Sequence, residues 1–311
     1  MRILFTADIH LKLGQKNIPK DWARARYSEF FLQVYALEDE VDTHIIGGDI
    51  FDRVPTIEEL ELYFDFISRC KIPTIIYDGN HEATKKGFTF LSNLKEVTEK
   101  INPLVRIVDE SMETPEFSIL PYCDLHKKNS IEVLNKTKPV FTHVRGDIEP
   151  HVHAEVDLER FKEFPIIFAG DLHSNSNCQR NIVYPGSPMT ISFHRNKVST
   201  GYIIIEDNWE WSFGEFRLPQ LLRKTVSSSE DIIPGVYDHV IYEAEGDLDD
   251  LSKIKNSDLL DKKIVKRQTE ASLLLSKGMP IEEELSEYLL YILEFPDEKV
   301  SNILRTFNDY T

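Results

Sequence analysis

A chain of 311 residues with 41% hydrophobic content can bury a substantial core, as one large domain or as one domain with appendages. Its net charge of −17 excludes wrapping nucleic acid by bulk electrostatics, which takes lysine and arginine; bound cations, local basic patches or a partner subunit would still admit a nuclease, with weak DNA binding expected of the isolated chain. Three scattered cysteines, Cys70, Cys123 and Cys178, exclude a disulfide framework or a paired-cysteine zinc site; no apolar run is long enough for a signal-peptide core or a bilayer span, so the expected compartment is the cytoplasm.

In chain order, Ile3 to Ala7 is an apolar strand that delivers Asp8 and His10. The segment from Lys12 to Arg26 sets Lys12, Lys16, Lys20, Arg24 and Arg26 against one acid, Asp21, and reads equally as a substrate-facing loop or a solvated helix entry. From Ala23, the positions Tyr27, Phe30, Phe31, Val34 and Leu37 follow helical spacing and predict a helix packed on a sheet. Next, His44-Ile45-Ile46 is a strand stopped by Gly47-Gly48. It releases Asp49 into a loop at the sheet edge where α/β proteins place their chemistry. Thr56 and Glu59 have capping-box spacing ahead of a helix whose buried face is Leu60, Phe64 and Ile67. Thr74 to Gly79 is a third strand, delivering Asn80, His81 and Glu82. The alternation predicts parallel strands with crossover helices.

Gly87 to Lys100 is expected to be a third helix. Beyond Asn102-Pro103, the runs Leu104 to Val108, Phe117 to Tyr122 and Val140 to His143 predict a second sheet packed on the first. Ile166 to Gly170 then delivers Asp171 and His173, Ile182 to Pro188 is a strand entering a tight turn, and Gly201 to Phe216 is a hairpin around Asp207-Asn208. The expected organisation is a nuclease core over 1–220, a small capping module over 221–275 and a helical tail over 276–311 that docks a partner or, as readily, packs back on its own domain. The module holds Lys262, Lys263, Lys266 and Arg267, which read as a DNA-backbone contact or, more commonly, a solvated face. In the tail, the Pro280 to Leu293 helix is followed by Val300, Ile303, Leu304 and Phe307 at helical spacing.

Five strand ends therefore carry hard oxygen and imidazole donors without sulfur, the set that suits manganese, magnesium, iron or zinc. Any one cluster is weak evidence; their conjunction is strong. Asp8-Ile9-His10, Gly48-Asp49-Ile50-Phe51-Asp52, Gly79-Asn80-His81-Glu82, Thr142-His143 and Gly170-Asp171-Leu172-His173 resemble the ordered motifs of the calcineurin-like metallophosphoesterases. With Tyr184-Pro185-Gly186-Ser187-Pro188, they resemble the SbcD-type nucleases of double-strand-break repair. The match spans roughly the first two thirds of the chain.

That resemblance implies an αββα two-sheet sandwich. It also implies two divalent ions, Mn2+ or Mg2+, one held by Asp8, His10, Asp49 and His173 and the other by Asp49, Asn80, His143 and Asp171. His81 would be the catalytic histidine, with Glu82 orienting it. The function implied is manganese-dependent DNA exonuclease with single-strand endonuclease activity, as a homodimer with an SbcC-type coiled-coil ATPase. A phosphatase or small-nucleotide phosphodiesterase, and a non-catalytic scaffold for the ATPase, are the rivals. Asp171 departs from the family's Gly-His-x-His and puts metal preference in question. Arg145 is read as reaching a substrate phosphate or pairing with Asp147, and His151 and His153 as exposed loop residues.

Overall fold

The central strands of both sheets are buried on both faces, and this is why they read as continuous apolar runs rather than alternating ones. In the Ile3–Thr6 strand, Leu4 faces a layer of helices while Phe5 faces a second sheet; Ile46 and Ile45 divide in the same way one strand over. The computed structural model describes residues 1–85, 87–265, 279–293 and 295–310, and their contacts divide into two compact units.

The first unit comprises Met1–Thr225, Ile232–Glu243 and Asn256–Asp261. Its larger sheet has six strands. Ile3–Thr6, Thr43–Gly47, Thr74–Tyr77 and Val105–Val108 run parallel, and the Gly201–Ile205 and Trp211–Glu215 hairpin adds antiparallel to Ile3–Thr6. The second sheet has five strands, with Ser118–Leu120, Val140–His143, Ile167–Gly170 and Ile182–Val183 parallel and Met112–Glu113 antiparallel at one edge. Phe5, Phe141 and Phe168 meet between the sheets, with the Phe5 and Phe141 rings 5.4 Å apart and those of Phe141 and Phe168 5.2 Å apart. The Tyr77 hydroxyl crosses the same layer to donate to the Thr142 carbonyl at 2.9 Å.

Outside the larger sheet lie the helices Lys20–Glu38 and Ile57–Ser68. Thr56 and Glu59 form the expected capping box. The second helix buries Leu62, Tyr63, Phe66 and Ile67, with Leu60 and Phe64 only at its margin. Short helical turns, Tyr122–Leu125 and Leu158–Phe161, and intervening loops cover the outer face of the second sheet.

Two further expectations are corrected. The strand at Val105–Val108 joins the first sheet, because the short helix Lys95–Ile101 returns the chain beside Thr74–Tyr77. The segment from Gly87 is a hairpin strand and a 3-10 turn before that helix begins. Gly87 has φ +85°, outside the helical region, and Thr89 caps the 3-10 turn with its side chain.

The second unit comprises Val226–Asp231, Ala244–Lys255 and Lys262–Thr311. Within it, Ile281–Glu287 runs into a π-helical turn at Tyr288–Ile292, and Asp297–Tyr310 follows Pro296. Lys266 and Arg267 lie outside the described residues. Among the described residues, no helix is long and apolar enough to cross a membrane.

Candidate metal centre

The loops that follow the strands are fastened to one another before any side-chain chemistry begins. Asp8 donates its N–H to the Gly48 carbonyl, His10 to that of Asp49 and Leu11 to that of Ile50. A buried carboxylate completes the frame: Glu82 Oε2 accepts from Asp49 N at 2.9 Å and Gly79 N at 2.8 Å, while Oε1 accepts from Phe51 N at 2.8 Å. Four side-chain-bearing site residues sit in the left-handed region, Asp8 at φ 57°, His10 at 49°, Asp49 at 50° and Asp171 at 100°. Each such residue costs on the order of 1 kcal/mol, a cost the surrounding bonds must offset. At Gly79 an added Cβ would strike the Asp49 carboxylate, so the chain needs glycine there to let the two loops close.

Asp49 Oδ2 is the centre of the cluster. His10 Nε2 and His143 Nε2 lie 3.6 Å from it, and His81 Nε2 lies 3.9 Å away. His173 Nε2 is 3.2 Å from His10 Nε2 and 3.8 Å from Asp8 Oδ1. Three groups each bring ligand atoms within 4.8 Å of one another: Asp8, His10 and His173; His10, Asp49 and His81; and Asp8, Asp49 and His143. Asn80 Oδ1 is 3.0 Å from His143 Nε2, and Asp171 Oδ1 is 3.9 Å from the same nitrogen.

The donors suit cations. His143 Nδ1 lies 2.8 Å from the Gly47 carbonyl, which can only accept, so the N–H is on Nδ1 and Nε2 points into the site. With that ring neutral, the lone pairs of Nε2 and Asn80 Oδ1 meet. A cation resolves the contact, as does a turned amide, whose nitrogen would donate to Asp49 Oδ2 at 3.0 Å. Burial raises the pKa of Asp8 well above the carboxylate range and raises that of Asp49, and the neighbouring carboxylates add to both. Burial lowers His10 well below the usual imidazole value and takes His173 down to about 4. Crowded carboxylates that resist ionising, beside the His10 and His173 imidazoles held neutral, form a site that suits a cation.

The calcineurin-like phosphoesterase family model matches residues 1–163. A relative from Escherichia phage T5, named probable exonuclease subunit 1, is 39% identical over 321 aligned positions, covering 98% of this chain and 97% of its own. The chain belongs to the calcineurin-like phosphoesterases. Putative phosphoesterases 078R of invertebrate iridescent virus 3 and 244L of invertebrate iridescent virus 6 are more distant, at 25% and 27% identity over 70% of this chain, and 65% and 79% of theirs. As a member of this family, the protein is a metal-dependent phosphoesterase.

Several side chains of this phosphoesterase do something other than expected. The Glu82 carboxylate anchors the Asp49 and Gly79 loops, whereas the His81 ring is held by the Asp52 carbonyl, 2.6 Å from Nδ1. Arg145 pairs with Asp171, not Asp147, whose Oδ1 instead accepts from Ala154 N. In the basic segment, Lys12 pairs with Asp52 at 2.7 Å and Lys20 with Glu58 at 2.9 Å. Arg26 is buried, donating to the Thr190 carbonyl with its guanidinium over Trp22. Lys12 and Lys20 are thus engaged in ion pairs, and Arg26 is part of the packed interior. His151 and His153 are exposed, as read from the loop, and line an open cavity of about 630 Å³ that also touches Asp171 and His173.

A pH prediction follows from these shifts. Burial and the Asp49 charge raise Glu82 to about 8, while Asp8 and Asp49 are raised for like reasons. Burial opposes the charge of His143, but Asp49, Asp8 and Asp171 outweigh it and bring His143 to about 9. For every one of these groups the folded pKa exceeds the unfolded one, so its stabilisation is full at low pH and lost as pH rises through the folded value. His10 and His173 act oppositely, but only below their ordinary value of 6.5. Between pH 6.5 and 9 the first group decides. In chelator, the thermal midpoint is expected to fall by roughly 5 °C over that range, and saturating Mn2+ should flatten the slope. A midpoint in chelator that climbs with pH would contradict the assignment.

Proposed function

We propose that this phosphoesterase is a DNA nuclease that uses two divalent ions, preferring Mn2+, with exonuclease activity and single-strand endonuclease activity. The observation that carries the reading is the convergence of His10, His143 and His81 on one buried oxygen, Asp49 Oδ2, in a chain that aligns almost end to end with a phage exonuclease subunit. Asp8, His10, Asp49 and His173 would hold one ion, and Asp49, Asn80, His143 and Asp171 the other. When bound, the ions supply Lewis-acid activation of the phosphodiester and of the attacking water.

His81 does the proton work in this proposal. Its Nδ1–H is committed to the Asp52 carbonyl, so Nε2 is the nitrogen that faces the site, and in the protonated ring it donates to the leaving oxygen. The cavity beside Asp171 and His173, walled by Ile148, Val152, Met189 and Val198, offers room for the strand flanking the cut. With a charge of −17, the chain needs help to hold DNA. A homodimer with an SbcC-type ATPase docked on the 279–310 helices would supply it, and the cytoplasm is the compartment that fits.

The test is cleavage of end-labelled duplex DNA with Mn2+, Mg2+ or chelator, alongside a phosphomonoester and a cyclic nucleotide, comparing the native chain with His81→Ala. Manganese-dependent loss of label, reduced on the order of 10²-fold or more in the variant, is expected. Fast turnover of the small substrates with DNA left intact, with or without the ATPase subunit, would replace the nuclease reading. Truncation after Gly278 should abolish any stimulation by that subunit; full stimulation would place its dock elsewhere.

A further inference from the structure

The Asp171 carboxylate is clasped by a guanidinium. Arg145 Nε donates to Asp171 Oδ2 at 3.0 Å and Nη2 to Oδ1 at 3.1 Å, a two-pronged pair that uses both carboxylate oxygens. The same Oδ1 faces His143 Nε2 at 3.9 Å, so the guanidinium and the metal cage share one ligand atom. Asp171 is nearly buried, and its own N–H donates to the Asp8 carboxylate. The Arg145 side chain is 40% exposed and reaches Asp171 from the solvent side, so it lies beside the cage rather than within it. The hydrogen bond to Asp171 holds the Arg145 pKa above its usual value.

We propose that Arg145 is a positioning residue that sets the cation affinity of the site through Asp171. An aspartate where an imidazole would be neutral places a third carboxylate beside Asp8 and Asp49. Left bare, that charge would tighten the grip on any hard cation and leave the bound cation less electrophilic. Arg145 returns one positive charge and occupies one lone pair on each Asp171 oxygen. The ionic pair as a whole is thus as neutral as the imidazole it replaces, and Arg145 holds affinity below what a free carboxylate would give. The proposal rests on Asp171 acting as a ligand, as in the function proposed above.

The test is calorimetric titration of the chelator-stripped chain with Mn2+, for the native protein and for Arg145→Met, Arg145→Lys, Asp171→Asn and the Arg145→Met/Asp171→Asn double variant. Methionine keeps most of the stem volume and removes the charge. Arg145→Met is expected to bind the weaker-held Mn2+ on the order of tenfold more tightly. Arg145→Lys should stay near native, because the charge remains. Asp171→Asn should bind more weakly, and in that background removing Arg145 should change little. Unchanged or weaker binding by Arg145→Met, with Asp171→Asn still weakened, would overturn the role of Arg145 while keeping Asp171 as a ligand. Tightening by Arg145→Lys equal to that by Arg145→Met, or tightening that persists in the Asp171→Asn background, would overturn the pairing. Native affinity and stoichiometry in Asp171→Asn would instead overturn the ligand reading itself.

Discussion

Asp49→Ala is expected to remove phosphoesterase activity, the proposed DNA cleavage included, by on the order of 10³-fold or more while leaving a folded protein. The geometry gives the reason for both halves. Asp49 Oδ2 lies within 4 Å of His10, His143 and His81, so its loss opens both proposed ion sites at once. A histidine at the rim of the cluster, such as the partly exposed His173, touches one site only. Stability should move little. The carboxylate is buried at a cost, as its raised pKa records, and its removal relieves repulsion from Asp8 and Asp171. Against this, the His81 N–H loses its acceptor, Asp49 Oδ1 at 2.9 Å. The measurements are DNA cleavage, metal content after dialysis against Mn2+, and thermal melting in chelator. A variant with two bound ions and native cleavage would end the bridging-ligand assignment.

How much of this was legible in the sequence differs from residue to residue, for physical reasons. The strand ends that deliver Asp8, His10, Asp49, Asn80, His81, His143, Asp171 and His173 were legible because strands covered on both faces become uninterrupted apolar runs, and glycine marks where those before Asp49, Asn80 and Asp171 stop. The Thr56 to Glu59 capping box is local by construction, so four residues suffice to read it. The sheet to which Val105–Val108 belongs was not legible: a four-residue apolar strand fits either sheet, and pairing with Thr74–Tyr77 decides it. The same holds for charged partners. Arg145 and Asp147 are neighbours in sequence, but the left-handed backbone at Asp171 brings a carboxylate 26 positions away into the guanidinium fork. Arg26 looked like part of a basic surface because neither its Thr190 acceptor nor its Trp22 platform carries a charge signal.

Glu82 is the residue whose part was least visible, and its substitution carries the largest expected effect on stability. It follows His81 directly, which invites a role in orienting that ring. Yet its carboxylate is fully buried and accepts three backbone N–H groups, from Asp49, Phe51 and Gly79. Nothing in the sequence announces a bond to a backbone 31 or 33 positions away. In Glu82→Ala those donors lose their acceptor inside the buried core, at about 1–3 kcal/mol each, and a cavity is added. The sum approaches the whole stability of a typical domain, so the variant is expected to be largely unfolded. Glu82→Gln keeps the shape but turns one oxygen into an NH2 group that must face an N–H donor. It should cost about 2–3 kcal/mol in a urea melt, and it should lose Mn2+ even where it stays folded, because the Asp49 loop is no longer held against Gly79. Phosphoesterase activity would then fall without any ligand having been touched. Melting within about 0.5 kcal/mol of native, together with full metal occupancy, would show that the loops hold themselves and that Glu82 is only filling space.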